Sequence, residues 1–330
     1  MAAIYHEDAG DLKWLKGKTV SVLGYGNQGS AQAQNMRDSG VKVVVGNTRD
    51  AYLEMAVADG FEAFEIPEAI KRADFHILLI TDEVMPHVFD KDIRPFLKPG
   101  QAIVVSSGYN VAYGFLRYPS EVDVLMIAPR TIGTAVRKTY LSGKGFASLV
   151  GVHHDATGHA KQVMLALAKA IGTLKCAGIE SSCEEEALCD LFNEQSGGLY
   201  AWRRAYELLV EAGASPEAAM LEFWASGELS DVAEVIQTHG LFGQVKFHSQ
   251  TSQYGQEVIG RHSPEEEEVE RRRLRGILAR IKDGTFAKEW TLEQQAGYPT
   301  LNRVHQQNMA HPMAPIEERL LREMGFWKKG

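Results

Sequence analysis

Three glycines in a short run could hold a phosphate group. They stand in the segment Gly24-Tyr25-Gly26-Asn27-Gln28-Gly29, after an apolar run and before a helical pattern. At this spacing the first glycine permits a tight turn, the second lets backbone approach a pyrophosphate, and the third lets helix and strand pack closely. The N–H groups and positive dipole of the following helix attract phosphates. The sequence therefore predicts a dinucleotide site formed by Gly24, Tyr25, Gly26, Asn27, Gln28 and Gly29.

The residues after the next apolar run bear on which dinucleotide is bound. At this point in such sites, a carboxylate binds the ribose 2′-hydroxyl of NAD, whereas an arginine binds the 2′-phosphate of NADP. The segment reads Asn47-Thr48-Arg49-Asp50. Thr48 and Arg49 favour NADPH, and Asp50 leaves NADH open.

Two carboxylates in the second half could bind a metal ion. Asp190 and Glu194 are four residues apart, so on a helix they share one face. That arrangement suits a hard cation such as Mg²⁺, which prefers oxygen ligands. The simpler alternative is a solvated acidic helix face, to which Glu184, Glu185 and Glu186 would also belong. Spacing alone leaves both interpretations open.

The composition limits the class of protein. The chain has 330 residues, 45% of them apolar and 24% charged, with a net charge of −8. Nucleic-acid-binding proteins are normally basic, so this acidity argues against one. No apolar run approaches the roughly 20 residues of a membrane-spanning helix, and the acidic N-terminus lacks a signal-peptide pattern. With three scattered cysteines and no disulfide framework, we expect a cytoplasmic protein without nucleic-acid or membrane partners.

Strand and helix patterns in the first half predict how the glycine segment is held. Six short apolar runs, each bounded by Gly, Asp, Pro or Ser, predict a parallel sheet covered on both faces by helices. The predicted strands are 19–23, 41–45, 75–80, 102–105, 122–127 and 148–152. An amphipathic helix is predicted over Ala160–Ile171.

The second half has a different pattern. From residue 183 onward there is almost no strand signal. Ser-Pro pairs at 215–216 and 263–264 predict helix starts, because serine suits the N-cap and proline the first helical position. We therefore predict an α/β fold with a dinucleotide-binding domain over 1–180 and an all-helical domain over 181–330.

Over nearly its whole length the sequence resembles the ketol-acid reductoisomerases (acetohydroxy acid isomeroreductases) in their short form. The matching segments are the glycine motif, 37–41, 81–84, 154–158, 190–195 and 286–290. The resemblance implies a Rossmann domain, a knotted helical C-terminal domain that forms a homodimer or a larger assembly, NADPH, and two Mg²⁺ ions. The family reaction rearranges a 2-hydroxy-2-alkyl-3-oxo acid by alkyl migration and reduces the resulting 2-keto acid, in branched-chain amino-acid synthesis.

The resemblance also implies roles for single positions. The expected cofactor contacts beyond the glycine motif are Thr48, Arg49, Asp82 and Gly108. The expected catalytic residues are Ser107, Arg130, Asp190 and Glu194. The expected substrate contacts are Glu222, Ser226 and Ser249. The expected metal ligands are Asp190, Glu194 and Glu222.

Several of these positions depart from the family pattern. The family has His-Gly-Phe-Asn where residues 107–110 read Ser-Gly-Tyr-Asn, and a lysine where this chain has Arg130. Of the family's second pair of glutamates, the first falls on Glu222 and the second on Ser226. If this segment is one helix, Glu228 lies about 240° around the axis from Glu222 and cannot replace the missing carboxylate.

These departures remove chemical groups that are more important for alkyl migration than for reduction. Arg130 stays protonated, so it can clamp an anion but cannot relay a proton as lysine can, and Ser107 cannot carry charge near pH 7. Alkyl migration needs a deprotonated hydroxyl and a polarised carbonyl, which paired metals supply. Hydride transfer needs a positioned nicotinamide and a proton donor.

The sequence thus predicts an NADPH-dependent reductase of a small anionic 2-keto or imino acid, with one tightly bound Mg²⁺ at most and the isomerase step lost or altered. One alternative is a working, divergent reductoisomerase in which water and Ser226 replace the lost glutamate. Another is a non-catalytic nucleotide-binding scaffold.

Overall fold

A computed structural model describes residues 1–327 of the chain. The chain divides into two compact units, Met1–Asp190 and a second that begins at Leu191, so the division falls inside a helix. The sequence places the domain boundary at residue 180. It also predicts a loose tail over 326–330, of which 328–330 lie outside the described residues.

The centre of the first unit is a sheet. Its strands are β1 (Ile4–Tyr5), β2 (Thr19–Leu23), β3 (Lys42–Gly46), β4 (Glu62–Phe64), β5 (Phe75–Leu78), β6 (Ala102–Val105), β7 (Asp123–Pro129), β8 (Ala147–His154) and β9 (Ala177–Glu180). Within residues 1–327 the strand order is β1-β9-β8-β7-β6-β5-β2-β3-β4. All six predicted strands are present. The other three, β1, β4 and β9, have two to four residues and were not predicted.

The prediction of a wholly parallel sheet is wrong at two pairs of strands. Strands β4-β3-β2-β5-β6-β7 are parallel throughout, but β8 runs antiparallel to β7, and β1 antiparallel to β9. An apolar run carries no information about strand direction, which depends on the connection to the next strand.

The helices of the first unit are α1 (Asn27–Asp38), α2 (Ala51–Ala58), α3 (Ile66–Lys71), α4 (Met85–Val88), α5 (Tyr109–Ala112), α6 (Gly133–Leu141) and α7 (Ala160–Ile171). Helix α7 has the predicted bounds. Helix α8 (Cys183–Gln195) crosses the division between the units.

Two apolar cores cover the sheet, because alternate strand residues point to opposite faces. Val20 and Val22 of β2 belong to one core with residues of α1 and α7. Leu23 belongs to the other with residues of α3. The predicted burial of both faces is confirmed.

The second unit is helical: residues 191–327 contain no strand. Its helices are α9 (Gly198–Glu211), α10 (Pro216–Met220), α11 (Glu228–His239), α12 (Gln250–Tyr254), α13 (Pro264–Lys282), α14 (Thr285–Gln295), α15 (Pro299–Met309) and α16 (Met313–Glu323). The two predicted starts are confirmed: Ser215 caps α10, and Ser263 caps α13 through a capping box with Glu266. No helix in the described part of the chain combines the length and apolar character needed to cross a bilayer.

Candidate active site

Most of the candidate residues of the first unit follow parallel strands and so lie at one edge of the sheet. Gly24 follows β2, Thr48 and Arg49 follow β3, and Asp82 comes shortly after β5. Ser107 follows β6 and Arg130 follows β7. The chain reverses its winding between β2 and β5, where open α/β sheets bind their ligands.

The glycine turn has the shape of a phosphate cradle. Gly24 has a φ of 96°, and an added Cβ there would lie 2.6 Å from the carbonyl oxygen of Leu79. A Cβ on Gly29 would lie 2.0 Å from the Gly24 carbonyl oxygen, so only glycine permits this contact between turn and helix. A Cβ on Gly26 would meet nothing within 4 Å. The surface beside Gly26 is therefore open for a ligand.

Helix α1 begins directly after this open position. Gly26 is its N-cap, and no side chain caps the helix. The first N–H groups of a helix have no acceptor within it, and with the helix dipole they form an anion site. The backbone of Asn27, Gln28 and Gly29 thus fits the pyrophosphate of a dinucleotide.

The side chains of Tyr25 and Gln28 in the turn form hydrogen bonds within the protein. Tyr25 is buried, and its hydroxyl donates to Asp59 at 2.8 Å. Burial raises the pKa of Tyr25 well above its usual value. Gln28 donates to the Thr131 carbonyl at 2.9 Å. The predicted cofactor contact of Tyr25 can therefore come only from its backbone.

The residues after β3 divide into one engaged carboxylate and one exposed cation. Asp50 caps α2: it accepts from Tyr52 N and Leu53 N at 2.9 and 3.2 Å, and from the Thr48 hydroxyl at 2.6 Å. Arg49 is exposed and pairs with Glu65 at 3.1 Å. Exposed pairs of this kind contribute little stability, about 0–1 kcal/mol, so Arg49 can leave Glu65 for another anion.

Asp82, Ser107 and Asn110 form a hydrogen-bonded group at the ends of β5 and β6. The Ser107 hydroxyl donates to Asp82 Oδ2 at 3.2 Å, and Asn110 Nδ2 donates to Asp82 Oδ1 at 2.8 Å. Burial raises the pKa of Asp82 to about 6, and the charges of Glu83 and Glu186 add to this effect. Asp82 is thus a half-buried carboxyl group that can hold or release a proton near neutral pH.

Three polar atoms next to this group are buried without a partner. Among the described residues, Ser106 Oγ, the Tyr109 hydroxyl and Asn110 Oδ1 have no hydrogen-bond partner. Unsatisfied buried polar groups are costly and rare in native proteins. Their place after β6 fits a polar ligand such as the carboxamide of a nicotinamide.

Arg130 holds two carboxylates of α8. Its Nη2 donates to Glu186 Oε1 at 2.6 Å, and its Nη1 donates to Asp190 Oδ1 at 2.9 Å. Its Nε donates to the Ala128 carbonyl at 3.3 Å. The Glu186 side chain is 1% exposed and that of Asp190 45%. One guanidinium therefore bridges two acidic side chains, one buried and one half-exposed.

Gly108 connects the Ser107 segment to the same carboxylate. Its N–H donates to Glu186 Oε2 at 2.6 Å, so both oxygens of Glu186 are engaged. A Cβ on Gly108 would lie 2.2 Å from the Cys183 carbonyl oxygen, which explains why only glycine fits here. Burial raises the pKa of Glu186, and Gly108 and Arg130 oppose that shift.

Glu222, Ser226 and Ser249 belong to the second unit. Glu222 lies in a π-helical turn over Leu221–Ala225, and Ser226 ends that turn. Ser249 caps α12 by accepting from Ser252 N at 3.2 Å. The single-helix placement of Glu228 is wrong, because Gly227, with a φ of 93°, separates the turn from α11 and is the N-cap of α11.

The donor set does not fit a magnesium ion. Among residues 1–327, no group of three or more His, Cys, Asp or Glu side chains is placed to hold a metal ion. The Asp190 carboxylate is paired with the Arg130 guanidinium, which also pairs with Glu186. Asp190 and Glu194 share helix α8, as predicted, and the metal site at Asp190, Glu194 and Glu222 stays a prediction.

Comparisons with known proteins agree with this architecture. The family model "Acetohydroxy acid isomeroreductase, NADPH-binding domain" matches residues 14–178, and "Ketol-acid reductoisomerase, C-terminal domain" matches residues 183–326. The chain belongs to the ketol-acid reductoisomerase family. It is thus an NAD(P)H-dependent oxidoreductase, as the sequence predicts.

Individual members of the family are similar over their full length. A ketol-acid reductoisomerase (NADP(+)) of Methanocaldococcus jannaschii is 40% identical, with all of both chains covered. That of Methanopyrus kandleri is also 40% identical over 99% of each chain. The solved structure of an NADH-preferring ketol-acid reductoisomerase from an uncultured archean has a TM-score of 0.90 and 33% identity, covering 99% of this chain and 100% of its own.

The sequence patterns did not identify Glu186 as a residue of the site. The interpretation of residues 184–186 as a solvated acidic face is wrong for Glu186, which is buried against Arg130 and Gly108. Its spacing of four from Asp190, like that of Glu194 on the other side, was the signal that could have found it. The unpartnered atoms of Ser106 and Tyr109 had no such signal.

Proposed function

We propose that this chain reduces a small anionic 2-keto acid with NADPH and has lost the alkyl migration of its family. The observation that carries the proposal is the Ser107–Asp82 hydrogen bond at the edge of the sheet where the glycine turn lies. It supplies a proton donor for reduction at a position where the family pattern has histidine.

The cofactor would supply a hydride to the carbonyl carbon of the substrate. The Ser107 hydroxyl then donates a proton to the forming alkoxide, and Asp82 replaces it. With a pKa of about 6, Asp82 is protonated in roughly one molecule in ten at pH 7. The Asn110 amide holds Asp82 in place by donating to Oδ1.

Arg130 supports substrate binding and not proton transfer. A guanidinium is protonated at every working pH, so it cannot act as an acid or a base. Each Nη carries two N–H groups, and the side chain is 34% exposed. Donors that the two carboxylates leave free can bind a substrate anion. Ser249 stays a predicted contact of the substrate carboxylate.

Three positions argue against alkyl migration. Ser107 replaces the family's histidine, Arg130 its lysine and Ser226 its second glutamate. Migration needs strong polarisation of adjacent oxygens, which paired metals normally provide. The carboxylate that would contribute to such a site, Asp190, faces Arg130 instead.

NADPH is the proposed cofactor because of how the residues after β3 are used. Asp50 is occupied with capping α2 and with the Thr48 hydroxyl, so it is not free to select NADH. Arg49 is held only by an exposed pair with Glu65, and it can bind a 2′-phosphate.

We also propose a cytoplasmic homodimer formed through the second unit. Helix α9 exposes Leu199 and Trp202, three positions apart on one helix face, by 71% and 38%, as expected of a face that another chain covers. The free thiols of Cys176, Cys183 and Cys189 suit a reducing compartment. Sedimentation equilibrium tests the assembly: a species of 36.5 kDa alone would refute the dimer.

A substrate panel tests the proposed reaction. NADPH and NADH oxidation would be measured with acetolactate, its rearranged 2-keto acid, and simple 2-keto and imino acids, each with Mg²⁺ and with a chelator. Reduction of a 2-keto acid in both conditions is expected. Oxidation of neither cofactor with any acid would contradict the proposal and favour a nucleotide-binding scaffold.

A restoration experiment tests why migration is lost. Ser107→His, Arg130→Lys and Ser226→Glu, combined in one chain, are expected to give measurable conversion of acetolactate in the presence of Mg²⁺. The chain with Ser226→Glu alone serves as the control and should stay inactive on acetolactate. Efficient turnover of acetolactate by the unaltered chain would instead favour a divergent reductoisomerase.

A further inference from the structure

We propose that the Arg130 guanidinium takes the place of a divalent cation at Glu186 and Asp190, so that this site excludes Mg²⁺ and needs no metal. The inference rests on the proposed function, in which reduction alone survives. It concerns which cation is paired with the carboxylates of Glu186 and Asp190, and a measurement of metal binding tests it.

The geometry of the contacts carries this inference. Nη1 and Nη2 of Arg130 each donate to a different carboxylate, at 2.9 and 2.6 Å. The two carboxylates are four residues apart on one face of α8. The planar fork of a guanidinium suits two oxygen acceptors at once. It therefore stands between the two groups that a bridging cation would otherwise join.

The saturation of Glu186 supports the same conclusion. Its Oε1 accepts from Arg130 and its Oε2 from the Gly108 N–H, both at 2.6 Å. The side chain is 1% exposed, so water cannot bring further ligands to a metal here. Mg²⁺ keeps several of its waters and demands octahedral geometry. Glu186 offers it neither a free oxygen nor room for hydration.

Arginine at this position also acts as a permanent cation. A lysine could deprotonate or move aside on its flexible stem, whereas Arg130 keeps its charge and is fixed by a third bond, from Nε to the Ala128 carbonyl at 3.3 Å. A divalent cation approaching Asp190 would meet a positive charge already paired with it. Binding would require breaking that pair.

Binding of Mn²⁺, a spectroscopic substitute for Mg²⁺, tests the inference on the full chain. Electron paramagnetic resonance would measure bound Mn²⁺ in the unaltered protein, in Asp190→Asn, in Arg130→Gln and in Arg130→Gln/Asp190→Asn. We expect no difference in bound Mn²⁺ between the unaltered protein and Asp190→Asn. Arg130→Gln should bind Mn²⁺ at least about tenfold more tightly, and the added Asp190→Asn should remove that gain.

Arg137→Gln is the matched control. Arg137 also pairs with a carboxylate, Asp38 at 2.6 Å, in the same unit, but its second partner is the Asn35 amide oxygen at 2.9 Å and not another carboxylate. No gain in Mn²⁺ binding is expected. If Arg130→Gln does not fold, Arg130→Lys is measured in its place, since lysine cannot hold both carboxylates with one planar fork.

Two results would overturn the inference. One is a Mn²⁺ ion bound to the unaltered protein and lost in Asp190→Asn. The other is no gain in Mn²⁺ binding on substitution of Arg130, or an equal gain in Arg137→Gln. Either result leaves the proposed function standing if the unaltered protein still reduces a 2-keto acid. Conversely, if none of the acids supports oxidation of NADPH or NADH, the proposed function is contradicted and the Mn²⁺ result is unaffected.

Discussion

The glycine turn and the Arg130 cluster lie at the same edge of one sheet, yet they differ in whether their charged and polar groups already have partners. The turn offers open space beside Gly26 and backbone N–H groups without acceptors. In the cluster of Arg130, Glu186 and Asp190, both carboxylates are paired with an internal guanidinium. One region is prepared for an anionic ligand, whereas the other has replaced an external cation with an internal one. Reduction needs the first region to bind its cofactor, whereas metal-assisted migration would need a divalent cation at the carboxylates of the second.

The largest expected effect is at the glycine turn. Gly29→Ala should weaken NADPH binding at least about 100-fold, because its Cβ would lie 2.0 Å from the Gly24 carbonyl oxygen and the turn must open. Gly26→Ala is the matched control, since its Cβ meets no protein atom within 4 Å. It should keep the thermal stability of the unaltered protein but bind NADPH about tenfold more weakly. Equal NADPH affinity in Gly29→Ala and the unaltered protein would refute the assigned turn.

A second substitution tests whether the cluster is a structural unit. Glu186→Ala should lower the free energy of unfolding by about 2 kcal/mol, because the Gly108 N–H loses its buried acceptor and Arg130 loses one partner. Urea denaturation measures this change. Glu184→Ala, two positions away and 58% exposed, should change stability by less than about 0.5 kcal/mol. Similar losses in the two variants would remove the distinction between buried and solvated acids on α8.

The pH dependence of reduction tests the proton donor between the two regions. Burial raises the pKa of Asp82 to about 6, so its protonated form is lost as the pH rises above that value. The kcat for a 2-keto acid should fall about tenfold from pH 7 to pH 8. Asp82→Asn should have a lower kcat without this pH dependence, while Glu83→Gln should keep it. A flat profile between pH 6 and 8 in the unaltered protein would exclude Asp82 as the acid.

The smallest expected effect concerns the cofactor's 2′-phosphate. Arg49→Ala should raise the Kd for NADPH about fivefold and leave that for NADH unchanged, since only NADPH carries the phosphate. Glu65→Gln should have the opposite effect on NADPH, because it releases Arg49 from its ion pair. Fluorescence titration measures both constants. Equal changes for the two cofactors would show that Arg49 does not read the phosphate.

Local features of the fold were predictable from the sequence. The glycine turn, the six predicted strands and helix α7 depend on neighbouring residues and on periodicity. The caps at Ser215 and Ser263 are local as well. Strand direction was not predictable: β8 lies antiparallel to β7 because of how the chain returns.

The site was less predictable because its contacts join distant residues. Arg130 and Glu186 are 56 positions apart, and only their contact in the fold shows that Glu186 is buried and not solvated. The predicted position of Glu228 relative to Glu222 on one helix was wrong, because Gly227, with a positive φ, separates two helical segments. The substituted residues Ser107 and Arg130 were visible in the sequence, but their partners Asp82 and Asp190 required the structure.

The central claim is that reduction survives without rearrangement. Its most direct test is the ratio of two rates in the unaltered protein: NADPH oxidation with the rearranged 2-keto acid and with acetolactate, both in the presence of Mg²⁺. We predict that the 2-keto acid reacts at least about 100-fold faster, a difference of about 2.7 kcal/mol in activation free energy. Comparable rates with the two substrates would contradict the account.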